Sequence, residues 1–135
     1  MPLVRVDLHE GRAEEELAAI GDAVHEAMVE TIGVPADDRF QVITEHRPGW
    51  LRYDRHYLGV DRDDGIVLVQ ITLARGRPVE KKEALYRRIA EGLSERAGVA
   101  SRNVFVSLVE VGREDWSFGE GVAQYAVADR DAAGS

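Results

Sequence analysis

The sequence contains no cysteine, which excludes disulfides, thiolate nucleophiles and cysteine metal ligands. Basic charge is scarce: 17 lysines and arginines stand against 25 aspartates and glutamates, giving a net charge of −8 and a pI near 5.0. Nucleic acid and anionic membrane both require a basic face, so neither is expected as a partner. An anionic small substrate has to be held by local arginines against the overall field. No apolar run approaches the roughly 18 residues needed to span a bilayer. The N-terminus also lacks the charged region and apolar run of a signal peptide, so a cytoplasmic protein is expected. The histidines, His9, His25, His46 and His56, show no metal-ligand spacing, and no metal site is expected. His25 lies beside an apolar helix face and reads as structural; His46 and His56 are candidates for a pocket mouth.

What remains is ordinary globular material: 135 residues, 44% hydrophobic and 31% charged, enough for one domain with a core. After Met1 and Pro2, the stretch Leu3-Val4-Arg5-Val6-Asp7-Leu8 reads as a buried strand. Two readings of Pro2 stand. A proline at the start of a strand costs no ladder hydrogen bond and needs no further reason. Removal of Met1 would instead leave Pro2 with a free secondary amine at the tip of a core strand. Such an amine titrates near neutral pH and serves as base, acid or carbonyl nucleophile according to its surroundings.

The chain repeats itself at a gapless offset of 65 residues, with Leu3 to Leu8 lying over Leu68 to Leu73. Gly11-Arg12 lies over Gly76-Arg77, Gly33-Val34 over Gly98-Val99, Phe40 over Phe105 and Glu45 over Glu110. This is duplication of one supersecondary unit. In the first unit Leu17, Ile20, Val24 and Met28 mark a helix from about Ala13 to Ile32, ended by Gly33. Glu14, Glu15 and Glu16 suit its first turn. Phe40 to Thr44 follows as a strand. In the second unit Pro78 opens a helix whose buried stripe is Leu85, Ile89 and Leu93; Gly98 ends it, and Val104 to Val109 is the last long strand.

A strand-helix-strand unit is parallel and right-handed. The expectation is an α+β fold of two β-α-β units sharing a four-stranded mixed sheet, with both helices on one face. The opposite face, with uncovered Val, Ile and Phe side chains, predicts oligomerisation. One domain spans 1–130, with units at about 2–45 and 67–110, a hairpin connection at 46–65 and a flexible tail at 131–135. The connection holds Trp50, Tyr53, His56 and Tyr57. The matching segment after the second unit is Asp115-Trp116-Ser117-Phe118-Gly119, with Gln124 to Val127 behind it. Aromatics beside glycine in a tail predict packing against a pocket or a neighbouring subunit.

Met1-Pro2-Leu3, Val34-Pro35-Ala36-Asp37-Asp38-Arg39-Phe40-Gln41, His46-Arg47-Pro48-Gly49, Leu58-Gly59 and the Trp116-Ser117-Phe118-Gly119 stretch together resemble the tautomerase superfamily, most closely its malonate semialdehyde decarboxylase-like branch. The resemblance covers nearly the whole chain. It implies a homotrimer, an amino-terminal proline as the catalytic group, and no metal or organic cofactor. It puts Pro2 and Asp38 in the site, with arginine at the end of the strand opening the second unit. Arg75 and Arg77 are the candidates, and Gly76 stands where the best-known relative has proline. Trp116 and Phe118 match the pocket wall, with Tyr125 a weaker substrate-binding candidate beside Tyr53 and Tyr57.

Each assignment has a plainer rival. Asp38 can simply start a strand and pair with Arg39, and Gly-Arg can be only a feature of the repeat. Arginine at a helix N-terminus is mildly unfavourable, however, and a carboxylate ligand would offset that. The implied reaction is decarboxylation of a small 3-oxo acid, with malonate semialdehyde the best match. The arginines bind its carboxylate, and Pro2 polarises its carbonyl as cationic acid or iminium. The rivals are a keto-enol tautomerase of the phenylpyruvate type, a hydratase or dehalogenase of 3-haloacrylates, and a non-catalytic trimeric binding protein.

Overall fold

The computed structural model describes residues 2–134, so the fate of Met1 and the last residue of the expected tail lie outside the described residues. The chain runs β1 (Leu3–His9), α1 (Glu14–Ile32), β2 (Gln41–His46), β3 (Val67–Ala74), α2 (Val79–Ala97), β4 (Val104–Val111) and α3 (Gln124–Ala133). The four strands form one sheet in the order β2-β1-β3-β4. β1 pairs parallel with β2, β3 parallel with β4, and β1 antiparallel with β3. The sheet is the expected mixed one, and its centre is a pseudo-twofold. Arg5 faces Gln70 across the antiparallel pair, and these two residues are themselves 65 apart.

The repeat is visible in the backbone. α1 and α2 each have 19 residues. Gly33 and Gly98 close them in the left-handed region at φ 70° and 65°. There a side chain would clash with its own carbonyl, and glycine is free of that cost. In both caps the next residue's amide, Val34 or Val99, reaches back to Met28 O or Leu93 O.

Strand alternation sends Val4, Val6 and Leu8 of β1 and Val67, Val69, Ile71 and Leu73 of β3 toward the helices. They meet Ile20, Val24 and Met28 of α1 and Leu85, Ile89 and Leu93 of α2 in one core. Each such side chain contributes roughly 1.5–3 kcal/mol of burial, set against the entropy of ordering it. The two helices approach closely where Gly92 lies against Ala23.

The opposite face of the sheet is uncovered by helix, but it is more polar than the sequence suggests. Ile43 and Ile71 turn to the helices. The open side carries Val42, Phe105 and Val109, with exposed Arg5, Gln70 and Ser107 interleaved. Odd and even positions along β1 and β4 point opposite ways, so an apolar run in sequence does not make an apolar face.

Two further expectations are corrected. The connection 46–65 is not a hairpin: it holds a short 3₁₀ turn at Tyr57–Gly59 and no strand. Its carbonyls are taken by side chains instead of a ladder. His9 bonds Asp64 O and Leu51 O, Arg12 bonds Gly65 O, and Arg62 Nη1 bonds the carbonyls of Asp54, Tyr57 and Val60. At the other end, Asp131 to Ala133 belong to α3 rather than to a frayed tail. An ion pair between Arg113 and Asp129, 2.9 Å apart, ties this helix to the body.

Candidate active site

Pro2 enters the sheet between two strands. The amide of Val4 donates to Phe40 O at 3.0 Å, aligning β1 with the approach to β2. On the other side Leu3 pairs with Thr72. The ring of Pro2 is buried at this corner. A proline is tolerated there because the ladder begins one residue later.

Beside it lies a cavity of about 220 Å³ lined by Pro2, Leu3, Phe40, Trp116, Ser117 and Phe118. The wall residues come from the segment after β4, and local bonds hold them. A 3₁₀ turn at Arg113–Asp115 opens that segment, with the Asp115 carboxylate accepting the Gly112 amide at 2.7 Å. The Phe118 amide donates to Gln124 Oε1 at 2.9 Å, and Gln124 Nε2 returns to Gly119 O at 3.1 Å. Trp116 stacks on Phe118 at 5.7 Å between centroids, and Tyr125 meets Phe118 edge-on at 4.9 Å. Such aromatic pairs contribute about 0.5–1.5 kcal/mol beyond their burial. Arg113 lies 4.3 Å over the Tyr125 ring. Tyr125 therefore braces the wall from behind and does not line the cavity. The indole Nε1 of Trp116 is buried with no hydrogen-bond partner among the described residues. That donor is available to a ligand oxygen.

Asp38 sits in the turn before β2, where its amide bonds Pro35 O at 3.0 Å. The register Val4↔Gln41, run backwards, carries this turn alongside the start of β1. Arg39 pairs with Asp22 at 2.6 Å and with Gln41. Arg75 and Arg77 leave β3 at the end of the sheet where Pro2 enters, since Thr72 already faces Leu3. Neither lines the Pro2 cavity. Arg75 borders a separate depression of about 310 Å³ with Arg113, Glu114 and Asp129. One Nη of Arg77 donates to Ala74 O at 2.9 Å. Nearby, the Lys82 ammonium, 2.9 Å from Glu110, holds that carboxyl below its ordinary range, with a smaller contribution from Arg75.

The histidines do not gather here. His25 is buried and bonds Ala36 O at 2.8 Å, a structural tie between α1 and the turn before β2. His46 pairs with Asp7 at 2.7 Å at the far end of the sheet from Pro2, and His56 faces Asp61 at 3.5 Å, so neither is at the cavity mouth. No cluster of three metal-ligating side chains occurs among the described residues. Tyr53 and Tyr57 line a different cavity. Sequence reasoning missed Leu3, Phe40 and Ser117 as lining residues. Leu3 and Phe40 read there only as strand residues, and the parallel register that brings them together is what makes them a wall.

Two models of the family described as "Tautomerase enzyme" match the chain, one over residues 38–119 and one over residues 2–55. "Probable tautomerase YusQ" of Bacillus subtilis (strain 168) is 42% identical over 124 residues, covering 92% of this chain and 98% of that protein. Among solved structures, a malonate semialdehyde decarboxylase studied for decarboxylase and hydratase activities superposes with a TM-score of 0.87 at 37% identity, over 94% of this chain and 98% of that one. A fused 4-OT that forms a symmetric trimer superposes with a TM-score of 0.76 at 25% identity, over 92% and 98%. The fold, the matched models and the shared length agree: this chain belongs to the tautomerase family.

Proposed function

We propose that the protein decarboxylates a small 3-oxo acid, malonate semialdehyde, to acetaldehyde and carbon dioxide, without a cofactor and as a homotrimer. The observation that carries this reading is the burial of the Pro2 ring at the tip of a core strand, against a cavity walled by Trp116 and Phe118. The likeness to the malonate semialdehyde decarboxylase structure supports the choice of substrate, and the trimeric neighbour supports the assembly. Removal of Met1 frees the ring nitrogen. Pro2 then polarises the aldehyde, as a cationic acid or through an iminium. The carbon–carboxylate bond breaks and its electron pair moves toward the carbonyl or iminium carbon, and the resulting enol or enamine takes a proton at carbon from water. On the iminium route the water expelled in forming the adduct is returned by hydrolysis, which releases acetaldehyde and frees Pro2. Positive charge at the carbonyl stabilises that electron flow. Arg77, with Arg75, stands outside the wall of the Pro2 cavity but at the same end of the sheet; it is assigned the carboxylate as a guanidinium fork, and Asp38 the orientation of the carbonyl or a water. The apolar wall excludes water and strengthens these charges.

A second reading is keto-enol tautomerism of a phenylpyruvate-type substrate, with neutral Pro2 as base. It is favoured by the name that the Bacillus subtilis relative carries. The test is to incubate the protein with malonate semialdehyde and follow acetaldehyde by proton NMR, with phenylenolpyruvate ketonisation alongside. Intact mass establishes that Met1 is absent from the material used. Acetaldehyde formation lost in Pro2→Ala supports the first reading; equal rates in both proteins overturn it. Fast ketonisation without acetaldehyde, requiring an unprotonated group in its pH profile, selects the tautomerase.

A further inference from the structure

A second cavity, of about 280 Å³, lies at the start of β3. The internal repeat relates it to the first. Adding 65 to Leu3 and Phe40 gives Leu68 and Phe105; subtracting 65 from Ser117 and Phe118 gives Arg52 and Tyr53. All four of these counterparts line the second cavity. So four of the six residues that line the Pro2 cavity, Pro2 included, have their pseudo-twofold mates around one other hollow. The remaining two explain the difference. Pro2 corresponds to Val67, a core residue in mid-chain with no amine, and Trp116 corresponds to Leu51, which is buried. Duplication has thus produced two hollows with similar apolar walls and different chemistry.

The second hollow has acquired guanidiniums. Arg52 stands where the first has Ser117, and Arg62 joins it from the connection. Arg62 is anchored: a single Nη donates to the carbonyls of Asp54, Tyr57 and Val60 at 3.1–3.5 Å, which leaves its other nitrogens available. Arg52 spends only its Nε, on Gly49 O at 3.2 Å. One carboxylate opposes them, that of Asp54, whose negative form the amides of His56 and Tyr57 hold below its ordinary range. Among the lining side chains two guanidiniums stand against one occupied carboxylate, while Asp64, behind the Tyr53 hydroxyl that donates to it at 2.5 Å, is paired with Arg55 at 3.6 Å.

We infer that this pseudo-symmetric cavity is a second, non-catalytic binding site for a small carboxylate with an apolar or aromatic body. The ring or alkyl part packs on Leu68, Phe105 and Tyr53, and the carboxylate meets Arg62 and Arg52. A fixed guanidinium takes a carboxylate with paired, charge-assisted bonds, which a neutral amide of the same shape does not offer. The inference does not depend on what Pro2 does, because no residue of the second cavity belongs to the first.

The probe is phenylacetate, titrated into the ¹⁵N-labelled protein in its native assembly, with phenylacetamide as the neutral control. Saturable shifts at Leu68, Phe105 and Arg62 amides are expected, with affinity for phenylacetamide about tenfold weaker. Arg62→Gln should weaken phenylacetate at this site by about tenfold and leave any binding at Trp116 and Phe118 unchanged. Because Arg62 also supports the connection, Arg52→Gln serves as the second variant; it is exposed and should weaken binding with the fold intact. Shifts confined to the Pro2 cavity, equal binding of acid and amide, or indifference to both arginine variants would each overturn the inference.

Discussion

The two halves of this molecule share a skeleton and differ at its ends. Gly11 and Gly76 turn out of β1 and β3 at φ 118° and 116°, and Gly33 and Gly98 close the helices at 70° and 65°. In the core, Ile20, Val24 and Met28 of α1 have Leu85, Ile89 and Leu93 as their counterparts, all buried at 1% exposure or less. The chemistry does not repeat. One strand begins beside the buried ring of Pro2, the other continues from Ile66 through Val67; both hollows have aromatic walls, but only the second has arginine side chains in its wall. Glycine placement and core volume are demands of the backbone, so duplicated units keep them. A residue at a strand end is under no such demand, and the two ends are free to part.

The comparison is broken most severely at those strand starts. Pro2→Ala should lower the proposed decarboxylation by roughly 10²–10⁴, the range for losing a positioned acid or base, with little change in melting temperature. Val67→Ala, at the counterpart position, should do the reverse: lower stability and unchanged turnover per folded molecule. Steady-state acetaldehyde assays and denaturant titrations on the same two variants decide this. Turnover lost in both would mean that the chemistry is not confined to the Pro2 end.

The next effect tests the sameness of the halves. Ile20→Ala and Leu85→Ala each empty a fully buried site on one helix and should each cost about 2–5 kcal/mol, read from urea midpoints at constant m. Neighbours differ slightly, since Gly92 against Ala23 brings the helices together at one point only. A cost on one helix less than half that on the other would show that the core is not shared evenly.

Much of this division was legible in the sequence. The 65-residue offset, the helix stops at Gly33 and Gly98, and the 3.6-residue stripes are local signals, and they locate both helices and all four strands to within about two residues. Pro2, Trp116 and Phe118 were nameable from motifs and do meet around one cavity. What did not show was set by non-local pairing. Phe40 becomes a cavity wall only through the parallel register Val4↔Gln41. Trp50 to Tyr57 alternates like a hairpin, yet His9, Arg12 and Arg62 satisfy the connection's carbonyls and leave a strand ladder nothing to add. The motif favours Arg77 over Arg75, but the contacts that separate them are tertiary: Arg75 borders an open depression and Arg77 bonds its own strand end. α3 lacks a strong apolar stripe and is fixed by Arg113, Asp129 and Tyr125, contacts that no periodicity reveals.

A smaller effect is expected at the helix stops. Gly33→Ala and Gly98→Ala put a Cβ into the left-handed region with open space around it, so the cost is conformational and about 1–2 kcal/mol in each half. Equal losses by thermal melting would confirm that the two caps are one device used twice. A loss at Gly98 alone would point to some added role for the second cap.

The weakest effect is expected where the halves have no counterpart at all. Asp63 joins the connection to the second unit: its carboxylate accepts from Gly65 N and Asn103 Nδ2 at 2.8 Å and from Arg102 at 3.0 Å. The residue 65 positions on is Ala128, so the repeat supplies no second copy of this carboxylate. The Gly65 amide first, then Arg102 and Asn103, hold the Asp63 carboxyl at about 2, against an ordinary 3.8. A depressed carboxyl binds fewer protons when folded than when unfolded. Its stabilisation is therefore complete above the ordinary value and drains away as pH falls from near 4 toward 2. Asp63→Asn can still accept from Gly65 and Asn103 but loses the charge that Arg102 meets. The variant should be slightly less stable at neutral pH and should show a shallower decline of stability across the acid window. Parallel wild-type and variant curves through that window would place the acid sensitivity in some other carboxylate. The exposed Asp129, held low by Arg113 at the opposite terminus, is the one to substitute next.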